Sequence, residues 1–335
     1  MNPFLEVFEG SAAFRYPEGY DEIVGELDHM LDSRDGGRLT QNQYLTELND
    51  LVARHPGFID GHAHVGFALL EQDRPKLALR ASLRGLALGE EAIPSGFEGR
   101  IAWSSLENRP FLRAAHGVVL CYLRLRQRRN AIPLMEKMLA WNPNDNQGIR
   151  FLLGSEYLRA GIEDKAAAIF HAEGPDYPPY RYELGLLLFR TGRHQAAATS
   201  LRHGFVENGY IAEVLCGTPD PLPLPIWHGS NFAEAGLAQD YVSQYGDLWY
   251  RSPAAVAFLR WLHMHPKIIA ERGAILEWRE ALLWEHDVER RRMLIDCEKT
   301  SLKRIDDLLS QDIVIKRTDR HGRKVAPWLH AGMRP

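Results

Sequence analysis

Residues 150–178 read RFLLGSEYLRAGIEDKAAAIFHAEGPDYP, and their pattern decides the fold. Leu153, Gly154 and Tyr157 precede Gly161; Ala166 and Phe170 follow it, and Pro178 closes the segment. The next stretch, RYELGLLLFRTGRHQAAATSLRHG (181–204), repeats the order with Leu184, Gly185, Leu188, Gly192, Ala197, Leu201 and Gly204. The preceding one, residues 114–143, carries Val118, Tyr122, Ala131, Met135, Leu139 and Pro143. Residues 62–85 carry Val65, Gly66, Leu69, Ala78 and Gly85. A period of about 31 to 35 residues is the mark of stacked helical hairpins.

The spacing has a steric cause. Gly66 and Ala78, like Gly154 and Ala166, stand twelve residues apart, on facing surfaces of two antiparallel helices. Only small side chains let such backbones approach. No hairpin buries its apolar face alone, so at least about three must stack, and the stack offers a concave binding surface. The expected fold is all-α: a right-handed solenoid over 1–215, a Pro-rich linker at 216–229, a helical C-terminal lobe at 230–315 and a basic tail or hairpin at 316–335.

These offsets resemble those of tetratricopeptide repeats. ENRPFLRAAHGVVLCYLRL (107–125) followed by AWNPNDNQGIRFLLG (140–154) is similar to a bacterial group of tetratricopeptide proteins. Its NPNDNQGIRFLL portion is also similar to the suppressor of tumorigenicity 7 family. The specific likeness covers roughly 90–215. It implies a repeat scaffold with no recognised catalytic residues, hence no enzyme and no cofactor. Physically the motif is a hinge: Pro143 ends one helix, and Asn144, Asp145 or Asn146 caps the next.

Two segments break the regularity. LTQNQYLTELNDLVARHP (39–56) reads as a lone second helix, with Tyr44, Leu48 and Leu51 in phase with the copy that follows. GEEAIPSGFEGRIAWSSLENRP (89–110) slips the phase by about half a repeat and reads as an inserted loop. Beyond the array, CGTPDPLPLPIWHG (216–229) holds four prolines, too many for a helix. Ser230 and Ser252 are candidate N-caps, Pro253 suits a first helical position, and helix is expected from about Pro266 to Leu309. Asp319-Arg320-His321-Gly322 between β-branched residues predicts one short hairpin.

Composition sets outer limits. A hydrophobic share of 45% and a charged share of 25% suit a soluble protein, and a net charge of −4 gives no global pull toward nucleic acid or anionic membrane. No run reaches the ~18 apolar residues of a membrane span. The first residues, MNPFLEVFEGSAAF, lack a basic leader, so no signal peptide is expected. Cys121, Cys216 and Cys297 are scattered and odd in number, which suits a reducing cytoplasm. Six Lys or Arg against one Asp from Lys316 onward would suit an acidic partner; without a nucleic-acid motif, a solvated terminus is the plainer reading.

One stretch suggests chemistry. HPGFIDGHAHVGF (55–67) resembles the metal-binding opening of amidohydrolases, where His62 and His64 would hold an ion that activates water. Its surroundings read as helix followed by helix, whereas that family alternates strand and helix. A metal-dependent hydrolase is therefore the alternative function, and no metal site is expected. His263 and His265 form a similar pair, which on a helix does not face one way; both are expected partly exposed near a helix end.

The expected function is that of a protein-interaction scaffold or adaptor. Equivalent positions on the first helices form columns: Arg124, Arg159 and Arg190; Leu123, Leu158 and Phe189; His116, Phe151 and Tyr182; Leu120, Ser155 and Leu186. An arginine ladder beside aromatic and aliphatic residues suits an extended peptide with acidic and apolar side chains, because guanidinium grips carboxylate bidentately. The other reading has these arginines merely solvating the helix face and pairing with nearby acids.

Overall fold

The computed structural model describes residues 3–331. Its chain divides into two compact units, Met1–Leu153 and Gly154–Pro335. The last repeat hairpins thus share a unit with the C-terminal helices. Both units are helical with almost no sheet, and the fold is an all-α, tetratricopeptide-like set of hairpins with a helical C-terminal lobe.

The first unit opens with strands β1 (Phe4–Phe8) and β2 (Ser11–Arg15), paired antiparallel with Phe4 opposite Arg15. Helices α1 (Tyr20–Asp35), α2 (Gln41–Arg54), α3 (Ile59–Glu71), α4 (Pro75–Ala92), α5 (Arg109–Arg124) and α6 (Arg128–Trp141) follow. Helix α7 (Arg150–Ala160) begins here and crosses into the second unit. Two expectations are corrected. The hairpin β1–β2 adds to the one foreseen near the C-terminus. Helix α2 is not alone, because α1 packs on it through Leu27 and Met30, which meet Tyr44, Leu48 and Leu51 in one core.

The inserted segment 89–110 extends helix α4 to Ala92 and then binds the strand pair. Ala12 N donates to Arg100 O at 2.7 Å. The buried Asn108 side chain accepts from Phe14 N and donates to the carbonyls of Ala12 and Ala102, each at 3.0 Å. In the hinge, it is Asp145 that caps: its carboxylate accepts from Ile149 N and Arg150 N, both at 2.8 Å.

The second unit continues with α8 (Glu163–Glu173), α9 (Pro178–Arg190), α10 (His194–Glu207) and the short α11 (Tyr210–Leu215). The Pro-rich segment has no regular structure. Then come α12 (Ala235–Tyr250), α13 (Pro253–His263), α14 (Pro266–Trp284), α15 (Val288–Lys303), α16 (Asp307–Ile313), the two-residue strands β3 (Arg317–Thr318) and β4 (Lys324–Val325), and α17 (Pro327–Ala331). The expected long helix after Pro266 is thus three helices, restarted by Asp287 and Asp306, whose carboxylates accept from Arg290 N and Leu308 N. Arg202 of α10, wholly buried, pins the lobe: it pairs with Glu271 and donates to Asp306 O at 2.6 Å and Ser310 Oγ at 2.8 Å.

One turn recurs through both units and proves the repeat register. After α1, α3, α5, α7 and α9 a residue adopts the left-handed backbone: Gly37 (φ 69), Asp73 (φ 52), Arg126 (φ 58), Gly161 (φ 75) and Gly192 (φ 78). Each time the next amide reaches back to the carbonyl five residues earlier, as Arg74 N to Leu69 O (2.9 Å), Gln127 N to Tyr122 O (2.7 Å), Ile162 N to Tyr157 O (2.9 Å) and Arg193 N to Leu188 O (2.8 Å). Arg38 N to Ser33 O, at 2.8 Å, closes the α1–α2 hairpin in the same way. This is the turn that satisfies orphan carbonyls at a helix end, and glycine fits it because it has no Cβ. Helix α11 ends likewise at Gly217 (φ 109), where the prolines prevent a second helix.

Close approach explains the small residues. A Cβ on Gly66 would fall 2.1 Å from Ser82 Oγ, and one on Gly185 would fall 2.6 Å from Leu201. At Gly154 the neighbours are the rings of Phe170 and Tyr180, each 2.8 Å from that Cβ.

Candidate functional site

The shared turn places Arg124, Arg159 and Arg190 identically, two residues before the left-handed residue of their hairpins; Glu71 holds that place in α3. Their surroundings differ. Arg124 is exposed and meets the exposed Asp73 at 3.2 Å. Arg190 is part-exposed and lies 3.6 Å from Glu163. Arg159 keeps only 10% of its side chain exposed.

What covers Arg159 is helix α12. Its guanidinium pairs with Asp247 Oδ1 at 2.5 Å and Glu156 Oε1 at 2.8 Å, donates to the carbonyl of Gln244, and lies 4.4 Å from the centre of the Tyr245 ring. Burial alone would lower its pKa; the Asp247 and Glu156 carboxylates outweigh that and raise it. Beneath this contact Ser155 Oγ donates to Glu183 Oε1 at 2.8 Å. Burial pushes the Glu183 carboxyl up to about 8, against the opposing pull of Ser155, Arg159 and Tyr241.

The other columns divide in the same manner. Tyr182 and Leu186 are wholly buried and Leu158 is 2% exposed, so none of the three presents a surface. Tyr182 donates its hydroxyl to Asn208 O at 2.6 Å and belongs to the core of α9–α11. Phe189 is half-buried, its ring 5.0 Å from those of His194 and Phe258. In the first unit His116, Leu120, Leu123 and Phe151 are half-buried, and His116 meets the edge of Phe67 at 6.1 Å. Burial lowers the His116 pKa.

The histidine pairs do not converge. His62 and His64 lie on α3, two residues apart and hence on different sides. His62 Nε2 meets Pro56 O at 3.0 Å, while His64 Nδ1 meets Tyr44 Oη at 3.3 Å. Among the described residues no group of three or more His, Cys, Asp or Glu side chains is placed to hold a metal ion. His263, expected near the surface, is buried and accepts from Arg272, and burial brings its pKa down to about 3. His265 caps α14 by accepting from Lys267 N at 3.3 Å.

Sequence reasoning missed the groups that close this site from the far side, Tyr241, Tyr245 and Asp247 of α12. Tyr241 and Tyr245 stand four apart on one helix face, which is a signal, but Asp247 falls outside that spacing and nothing local says what the face meets.

No family model matches the chain, and no curated protein matches it. Among solved structures, a mutant of MamA is similar at 21% identity, over 53% of this chain and 92% of its own, with a TM-score of 0.40. Among the described residues no helix is long and apolar enough to cross a membrane.

Proposed function

We infer that the chain is a non-enzymatic scaffold or adaptor that holds an acidic protein or peptide segment on the first helices of its hairpins. The observation that carries this reading is Arg159. Its place in the repeat already grips a piece of polypeptide, engaging a carboxylate, a backbone carbonyl and an aromatic ring of α12 together. Charge-assisted and guanidinium–aromatic contacts of this kind are general means of recognition. Arg124 and Arg190 stand in the same place in their hairpins and remain exposed enough to meet a partner, with His116 and Phe151 alongside in the sequence columns. Arg159, Leu158, Tyr182 and Phe189 instead hold the chain's own helices, which corrects their expected role. The three free cysteines suit a cytoplasmic setting.

The test is capture of partners by the parent chain and by the Arg124→Ala and Arg190→Ala double variant. Each lost arginine should weaken an acidic partner by about 1.5–3 kcal/mol, the range for hydrogen bonds to charged groups. Stability should hardly change, because exposed pairs contribute little. Undiminished capture by a folded double variant overturns the reading.

A further inference from the structure

The last helix is anchored by a single aromatic plug. Trp328 of α17 is 4% exposed, although its neighbour Leu329 is 47% exposed. Its ring lies 4.9 Å from Phe258, 5.1 Å from His194, 5.6 Å from Trp261 and 6.3 Å from Phe189. The receiving box is therefore built from α13 on one side and the α9–α10 turn on the other. Beside it opens a cleft of about 420 Å³ lined by Arg193, His194, Gln195, Val314, Lys316 and Trp328 itself.

The connection to that plug is exposed and closes on itself. Residues 315–325 run mostly at the surface through the β3–β4 hairpin. There the Asp319 carboxylate accepts from His321 N at 2.8 Å and Arg323 N at 2.9 Å, and Gly322 takes the left-handed turn (φ 79). A self-contained hairpin can leave the surface without exposing unpaired backbone groups elsewhere. What then holds the segment is chiefly the indole in its box, a compact and separable ligand, with the buried Ala326 two residues before it. Aromatic anchors in pockets of this kind dominate the energy of protein contacts.

We propose that the box formed by Phe189, His194, Phe258 and Trp261 is a docking site for the Trp328 segment of a second copy of this chain. Exchange of an identical element between protomers needs no new surface, because the contacts used within one chain serve unchanged between two. Within one chain the tether gives the segment a high effective concentration, so the site stays filled until the local segment is lost or the protein is concentrated.

Complementation tests this. One variant keeps the box and loses the plug (Trp328→Ala); the other keeps the plug and loses exposed parts of the box (His194→Ala with Trp261→Ala). Each alone should elute as a monomer, and their mixture should give a one-to-one complex by light scattering. A labelled peptide of residues 322–331 should bind the Trp328→Ala chain at least about tenfold more tightly than the parent, whose box is filled. No peptide binding by a folded Trp328→Ala chain overturns the docking site. Peptide binding without the mixed complex overturns the second copy as its occupant. So does self-association of Trp328→Ala alone, since that interface must lie elsewhere. If Trp328→Ala does not fold, hydrogen exchange on the parent decides. Excess peptide should speed exchange of the amides of 315–325 by displacing the local segment; unchanged exchange at saturation overturns the proposal.

Discussion

Replacing Gly154 by alanine tests the packing that the repeat pattern encodes. The added Cβ would lie 2.8 Å from Phe170 Cε1 and from Tyr180 Cζ, and 2.9 Å from Tyr180 Oη. Ordinary carbon contacts are ~3.5–4.0 Å, so both rings must retreat by roughly 0.7 Å or more. Neither retreats freely: both residues are wholly buried, their rings 4.8 Å apart, with Tyr177 a further 4.9 Å from Tyr180. Retreat of Tyr180 also breaks the bond that Gly154 N donates to its hydroxyl at 3.1 Å. Overpacking costs about 1–3 kcal/mol, and the lost hydrogen bond about 1 kcal/mol more. Alanine returns about 1 kcal/mol through helix propensity. The net expectation is a loss of about 1–3 kcal/mol, read as a lower urea midpoint by far-UV circular dichroism. Gly273→Ala is the matched control, because no atom lies within 4 Å of its added Cβ in α14. It should stabilise by about 0.5–1 kcal/mol. If Gly154→Ala behaves like Gly273→Ala, the contact is loose and the reasoning fails.

Three further outcomes are expected. Arg126→Gly should stabilise the first unit by up to about 1 kcal/mol in urea melts, because arginine is strained at φ 58; a destabilised variant would show that the Arg126 side chain contributes more than its backbone costs. Glu183→Gln should flatten the fall of stability with pH. The folded carboxyl titrates near 8, above its usual range, so the folded state holds the extra proton and stability drops as pH rises toward 8. The slope is about 1.4 kcal/mol per pH unit for one such group, and an unchanged slope between pH 5 and 8 in the variant refutes the assignment. Asn108→Ala should loosen β1–β2, which loses two hydrogen bonds to that side chain while the inserted segment loses a third at Ala102; faster amide exchange at Phe14 checks it.

The repeats were legible where the pattern was local. Gly161 and Gly192 mark turns that need a left-handed residue, and the sequence shows them as glycines; Asp73 and Arg126 take the same backbone and give no such sign. Helix α1 escaped notice because its sequence is largely polar, although Ile23, Val24, Leu27 and Met30 recur at helical spacing and Gly36-Gly37 end it. Strands β1 and β2 were short alternating runs around Glu9-Gly10 that an all-helical expectation passed over. The candidate site was legible only as a register. Equal phase placed the arginines correctly within their hairpins. It could not reveal that Asp247, 88 residues beyond Arg159, would cover one of them, since contacts of that span leave no periodic trace.

The same long span sets an order of events at the ribosome. The hairpins α7–α8 and α9–α10 close between neighbours in the sequence and are complete once the chain passes about residue 207. Arg159 waits for Asp247, and Arg202 waits for Ser310, 108 residues downstream. At ~5–20 residues per second that interval lasts on the order of 5–20 seconds. For that time the nascent chain carries finished helices whose buried arginines and apolar flanks still face the solvent, open to chaperones and to neighbouring nascent chains alike.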